Sequence, residues 1–379
     1  MTIRFLRESS VALALRSILL LLCVCFVFTA TAGTRPKQES HREFYVSMRG
    51  DDSADGTERH PWLTIQHAAS KVGPGATVHV APGIYVGPIR TEAVGRADAR
   101  IVFVSDKKFG AKITGTTDDP IWLNSGSFVD IQGFDIAGRG YIGIENDGSF
   151  VRIVGNHVHD LQVQCEPNGG AGIDNADYHA SDNDVIGNTV EHIDGARECA
   201  QRVHGIYHSN LRGHIWNNVT AFSGGCGIHL WHAASNVTIA NNLSFSNQFG
   251  ICVGAGDAPG GIRNNDTLVT NNIVVRNSKY GIFETGSNGD QNRFINNLVF
   301  GNNGGDFQLQ HQAAATGTIK ADPHTVFVDW KPDGDGDYHL KVGSPAIAMG
   351  TSTGAPPDDY EGISRKAKRT YDIGPFAAP

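Results

Sequence analysis

Residues 215–253 read IWNNVT AFSGGCGIHL WHAASNVTIA NNLSFSNQFG ICV, and this stretch decides the fold. Ile215, Asn218 and Gly227-Ile228 are followed by Ile239, Asn242 and Gly250-Ile251, 23 or 24 residues later. The same markers extend outward in both directions. Gly-Ile recurs at Gly143, Gly172, Gly205, Gly227, Gly250 and Gly281, with gaps of 29, 33, 22, 23 and 31 residues. An Asn before a short apolar run recurs at Asn156, Asn188, Asn218, Asn242, Asn272 and Asn297. Three residues ahead of each stands a bulky apolar residue: Ile153, Val185, Ile215, Ile239, Val269 and Phe294. A second apolar column follows the Asn by two positions at Val158 and Val190. From Val219 onward it follows by one (Val219, Leu243, Ile273, Leu298), which reads as a one-residue shift of register.

Units of this length, built from short β-branched runs without a helical period, cannot bury their apolar side alone and must stack on their neighbours. The expectation is an all-β, single-stranded parallel β-helix, with strands about 4.8 Å apart from one winding to the next. Asn suits a column at a turn, because its amide both donates and accepts up the stack. The sequons at Asn218 and Asn242 fall in that column and read as turn chemistry rather than glycan sites. Composition agrees: 46 Gly and 18% charged residues in 379 disfavour long helices.

The amino-terminal segment is set apart from this pattern. Arg4, Arg7 and Arg16 precede the apolar run Ile18 to Phe28, and Ala30-Thr31-Ala32 offers a small-residue cleavage site. Residues 1–32 read as a signal peptide cleaved after Ala32, which predicts a secreted or periplasmic protein. The run is short for an integral membrane span, and no second one follows. Residues 33–43 read as a linker and 44–379 as the β-helix domain. Without residues 1–32 the chain holds 28 Lys and Arg against 38 Asp and Glu, a net charge of −10. That balance disfavours a nucleic-acid partner. Four Cys then remain, in a compartment that permits disulfides. Ends of a solenoid need covers. Ile65, Ala68, Ala69 and Val72 lie on one face of a short amphipathic helix, which supplies an N-terminal cap. Asp337 to Leu340, Ser344 to Ile347 and Asp372 to Gly374 read as strand and turn fragments that close the last coils.

Tyr45-Val46-Ser47, Gly50-Asp51-Asp52, Pro61-Trp62-Leu63-Thr64-Ile65, Pro74-Gly75 and Pro82-Gly83-Ile84-Tyr85 resemble the opening of secreted right-handed parallel β-helix proteins of the pectate-lyase-like superfamily. The tail, Asp337 to Ile347 and Asp372 to Phe376, is similar to the end of the same proteins. The resemblance implies a right-handed parallel β-helix. It also implies work on extracellular polysaccharides, most often uronic-acid polymers, by β-elimination, hydrolysis or epimerisation. Its motifs mark fold and caps, so the site has to come from the residues.

If Ile of each Gly-Ile pair points inward, the next residue points outward. Those residues stack as Glu145, Asp174, Tyr207, His229, Cys252 and Phe283, and the first four can transfer protons. From Asn156 and Asn188 to the following Gly-Ile takes 16 and 17 residues, against 8 or 9 in later coils. Insertions at one corner of a solenoid build a binding wall. Cys165 and Cys199 lie in these two insertions and are expected to form a disulfide, with Cys226 and Cys252 of opposite parity and unpaired. Arg202 and His204 enter beside Tyr207. Trp231 shares the outward parity of His229 and suits stacking on a sugar. His232 follows on the exit side, and His208 reads as an inward histidine.

For metals, His157/His159 and His229/His232 match no recognised zinc spacing. The acidic region Glu145, Asp147, Asp174, Asp177, Asp182 and Asp184 has the hard oxygen donors that Ca²⁺ takes, with turn chemistry as the alternative. Three functions compete. Polysaccharide β-elimination needs a base, an acid and a cation on the uronate carboxylate. Here His229 or Tyr207 would be base and acid, Arg202 the cation, Asp174 a further catalytic group, and Glu145, His204, Trp231 and His232 substrate contacts. Glycoside hydrolysis would use the carboxylates Glu145 and Asp174. A non-catalytic glycan-binding β-helix is the third.

Overall fold

The computed structural model describes residues 42–164, 169–195, 199–311, 315–365 and 370–378. The expected signal peptide, cleavage site and most of the linker lie outside these residues. The first strand, Arg42–Val46, pairs with Ala76–Val80 from Arg42 onward, so the expected domain boundary at residue 44 falls inside it.

Three parallel sheets carry the chain, one of eleven strands and two of nine. Each winding visits all three in turn. The coil Ser181–Ile186, Thr189–Gly195, Val203–His208 is followed by Leu211–Trp216 back on the eleven-stranded sheet. We call the sheet holding Val203–His208 the Gly-Ile sheet and the one holding Thr189–Gly195 the Asn-corner sheet. Asn156, Asn188, Asn218, Asn242, Asn272 and Asn297 are buried at the corner that leads into the latter. From Asn188 onward each Oδ1 accepts from the backbone N–H and the Nδ2 of the Asn one coil earlier, as in Asn188 to Asn218 at 2.9 and 3.0 Å, while Asn156 Oδ1 accepts from the Phe134 N–H. Burial of these amides costs little because every donor finds an acceptor. The sequon residues Asn218 and Asn242 are therefore core residues.

The apparent register shift at Val219 has a different origin. Thr189 pairs with Val219 and Val190 with Thr220, and both columns continue in register through Leu243 and Ser244. From Val219 the outward column turns apolar because Phe327, Trp330, Leu340, Ala346 and Ile373 pack over it. The carboxy-terminal segment thus covers a lateral face, with Phe327–Asp329 and Asp337–Leu340 forming a separate antiparallel pair.

The helix Ile65–Lys71 begins at Thr64, whose hydroxyl accepts from the His67 N–H. Gln66 hydrogen-bonds both N–H and C=O of Arg90 on the edge strand Ile89–Thr91 of the Gly-Ile sheet, so that edge is partly satisfied.

Candidate functional site

The Gly-Ile repeat positions the site through a break in alternation. Ile144, Ile173, Ile206, Ile228, Ile251 and Ile282 are buried in the core. The preceding glycines also face inward: a Cβ on Gly172 would lie 2.3 Å from Val190 and one on Gly227 2.3 Å from Ser244 Oγ. Two consecutive inward positions return the residue before each Gly to the outer face. Cys226 therefore lies outside together with Cys252, and the two form a disulfide across 6.1 Å between Cα atoms. This corrects the expectation that they stay unpaired, which carried strict alternation through Gly227. Cys199 is also disulfide-bonded. Its expected partner Cys165 lies outside the described residues.

The outward column is in register: Glu145 beside Asp174, Asp174 beside Tyr207, Tyr207 beside His229, His229 beside Cys252, and Cys252 beside Phe283. A cleft of ≈ 740 Å³ lies over it, lined by Glu145, Asp174, Arg202, His204, Tyr207, His229, Trp231 and His232 among others. All eight residues expected from sequence thus share one cleft. The aromatic wall also includes Tyr141 and Tyr178, which precede or follow the Gly-Ile strands and carried no periodic signal.

His204 sits behind His229. Its Nδ1 accepts from the Cys226 backbone N–H at 3.0 Å, which assigns its ring proton to Nε2. That Nε2 lies 3.3 Å from Nδ1 of His229 and donates to it, so His229 carries its own proton on the other nitrogen. Burial pushes His204 down to about 3. His229 is pushed well below the usual histidine range by burial and by His204 and His232. Both are neutral at pH 7.

Asp174 is the opposite case. Its Oδ1 is shielded from solvent and has no hydrogen-bond partner. Burial, with the charges of Glu145 and Asp147, raises its carboxyl well above the ordinary range. Glu145 is raised by burial as well, although it accepts from the Tyr141 hydroxyl at 2.9 Å. Tyr207 is raised by burial and by Asp174 and keeps its proton. Arg202 ends the 3₁₀ turn Ala200–Arg202, is exposed, and forms no ion pair among the described residues.

Trp231 lies against Gly254, Gly256 and Gly286, where a Cβ would come within 3.2, 2.5 and 2.3 Å of the indole, and its N–H donates to Asp257. His232 stacks on Tyr178 at 4.3 Å, with the Tyr178 hydroxyl 3.2 Å from its Nε2. His208 is buried, pushed down to about 4, and joined to Asn175 at the end of the Asn124–Asn146–Asn175 ladder, as its inward parity required.

The acidic region divides. Asp182 pairs with Arg212 and Asp184 with His214 on the eleven-stranded sheet. Glu145, Asp147, Asp174 and Asp177 stay near the cleft, but among the described residues they do not form a group whose oxygens converge on one point. The donors do not fit Ca²⁺, which needs six to eight close oxygens. His204, Cys226 and His229 do converge. However, the Cys226 sulfur is in the disulfide and His204 Nδ1 is already an acceptor, so this group holds no metal.

No protein-family model and no curated protein matches the sequence. Solved structures do. The pectate lyase Pel9A aligns with a TM-score of 0.65 at 17% identity, over 89% of this chain and 96% of its own. The fold is the pectate-lyase-like parallel β-helix. A rhamnogalacturonan lyase aligns with this β-helix at TM-score 0.57 and 15% identity, over 89% of this chain and all of its own (100%). An alginate lyase from Paenibacillus sp. aligns at 0.53 and 16%, over 74% of this chain and 96% of its own. Among the described residues no helix is long and apolar enough to cross a membrane.

Proposed function

We propose that this β-helix cleaves a uronic-acid polysaccharide by β-elimination in the cleft over Asp174, Tyr207 and His229. One observation carries the reading: a carboxylate, a phenol and an imidazole on three successive coils face the same cleft as the exposed Arg202, which forms no ion pair among the described residues. Three solved structures with TM-scores above 0.5 are named as lyases of pectate, rhamnogalacturonan and alginate, which supports the substrate class.

The chemistry divides among the groups by their protonation. Asp174, held above the ordinary carboxylate range, is a stronger base than a surface aspartate and takes the proton beside the uronate carboxyl group. Tyr207 retains its proton and delivers it to the leaving glycosidic oxygen. Arg202 and the outward N–H of His229 bind the uronate carboxylate, whose charge grows as the proton leaves. His229 is a donor here rather than the base expected from sequence, because its other nitrogen is occupied by His204. His204 is a positioning residue rather than a substrate contact. Trp231 supplies a stacking surface. The disulfides agree with a secreted protein.

A second reading rests on the register of Glu145 beside Asp174, both raised. Neighbouring strands bring such carboxyls to the roughly 5 Å spacing of retaining glycosidases. Product chemistry separates the two. Pectic, alginate and glycosaminoglycan polymers are incubated with the protein, and the ultraviolet absorbance of unsaturated uronate is followed with reducing ends. β-Elimination raises both. Reducing ends without the absorbance establish hydrolysis, and binding without cleavage establishes a glycan-binding β-helix.

A further inference from the structure

A second cluster of histidines lies on the outer face of the Asn-corner sheet, away from the cleft and two coils ahead of Val219, where the apolar cover of the carboxy-terminal segment begins. His157 and His159 flank buried Val158 on one strand. The parallel register sets Asp135 beside His157 from the coil before, and Glu191 beside His159 from the coil after.

The hydrogen bonds sort the four ring nitrogens into two kinds. His157 Nε2 lies 2.9 Å from Glu191 Oε1, and His159 Nδ1 lies 2.8 Å from Asp160 Oδ2. A carboxylate on one imidazole nitrogen draws the ring proton there and leaves a lone pair on the other. The two remaining nitrogens both face Asp135: His157 Nδ1 is 3.7 Å from Oδ2, and His159 Nε2 is 3.3 Å from Oδ1. The rings stack at 4.0 Å, and His159 Nε2 is shielded from solvent without a hydrogen bond. Two lone pairs and a carboxylate therefore converge within 4.8 Å. Electron-rich atoms so placed repel unless a positive species lies among them. Lys112, the register neighbour of Asp135 on the far side, is exposed and forms no ion pair among the described residues.

We propose that this cluster is a binding site for one divalent transition-metal ion of the Zn²⁺ class. His157 Nδ1, His159 Nε2 and the Asp135 carboxylate are its ligands, and Glu191 and Asp160 are the outer carboxylates that orient the rings. Mixed nitrogen and oxygen donors select such ions over Ca²⁺. Bonds of about 2.0–2.2 Å in a tetrahedral site put neighbouring ligand atoms roughly 3.3 Å apart, close to the spacing present. The ion would tie the coils of Asp135 and His157 together directly and that of Glu191 through its hydrogen bond. A remaining coordination position is left for water.

The alternative occupant is a pair of protons, which would make both rings imidazolium. The test is Co²⁺ titration of the purified, chelator-treated chain, followed by visible absorption, with Zn²⁺ as competitor and thermal unfolding in parallel. The expected result is one Co²⁺ per chain, displaced by Zn²⁺, with a higher thermal midpoint. His159→Gln should weaken binding more than 100-fold. Asp160→Asn should weaken it about 10- to 100-fold. Asp160 has φ 49, a conformation Asn adopts readily, so that variant keeps the backbone intact. His229→Ala should bind like the wild type. Absence of saturable uptake, or wild-type affinity in both His159→Gln and Asp160→Asn, overturns the proposal, as does loss of uptake in His229→Ala.

Discussion

On the Gly-Ile sheet, His204 and His229 face each other and a backbone N–H; on the Asn-corner sheet, His157 and His159 face carboxylates. The residue type and the strand geometry are the same. The partners delivered by the coils above and below differ. In the cleft they strip histidine of charge and leave an N–H for substrate. On the other face they surround histidine with negative charge and leave lone pairs for a cation. A solenoid thus sets the chemistry of a side chain by what stands one winding away.

The largest effect that can break this comparison is at Asp174. Asp174→Asn should lower turnover by roughly 10²- to 10⁴-fold, the usual contribution of a general base. It should also raise the thermal midpoint at neutral pH. A carboxyl raised on folding contributes stability that is present below its unfolded pKa and lost as pH rises through its folded one, so removing it relieves that loss. Parallel activity and pH–stability profiles of both proteins check this. A midpoint that falls would mean that Asp174 is a paired structural carboxylate.

Next in size is the disulfide beside the histidine pair. Cys226 and Cys252 are 26 residues apart, and removing such a link costs about 2–4 kcal/mol. Cys226→Ala should lose this in urea unfolding. The native chain should show no reactive sulfhydryl at Cys199, Cys226 or Cys252 in a denatured thiol assay.

Acid sharpens the contrast further. His204 and His229 have folded pKa values below their unfolded ones, so their contribution is present above about pH 6.5 and is lost as pH falls toward the folded values. Each should add about 1.4 kcal/mol per pH unit to the acid slope of stability. His204→Gln should flatten that slope, and an unchanged slope would show that His204 is solvated. The smallest effect is at the cleft rim. Trp231→Ala should raise KM several-fold with kcat nearly constant, as expected for lost stacking. A fall in kcat alone would place the indole elsewhere in the reaction cycle.

Much of this could be read from the chain. Recurrent Gly-Ile placed Glu145, Asp174, Tyr207 and His229 on one line because parallel strands preserve register, and the Asn column was visible for the same reason. Strict alternation misled at Cys226, since Gly227 and Ile228 both face inward. The apparent shift at Val219 came from the carboxy-terminal segment, over 100 residues away, whose aromatic side chains make an outer column apolar. His157 and His159 matched no motif because Asp135 and Glu191 come from neighbouring coils. Tyr141 and Tyr178 sit outside the repeated positions, where periodicity has nothing to say.

The most direct test is the rate of unsaturated-uronate formation by Tyr207→Phe beside the wild type on the polymer that the wild type cleaves fastest. The hydroxyl is the only group removed, and the ring keeps its contacts with His204 and His229. A loss of at least 100-fold at an unchanged thermal midpoint is the predicted result. A rate within threefold of the wild type would contradict proton delivery from this column.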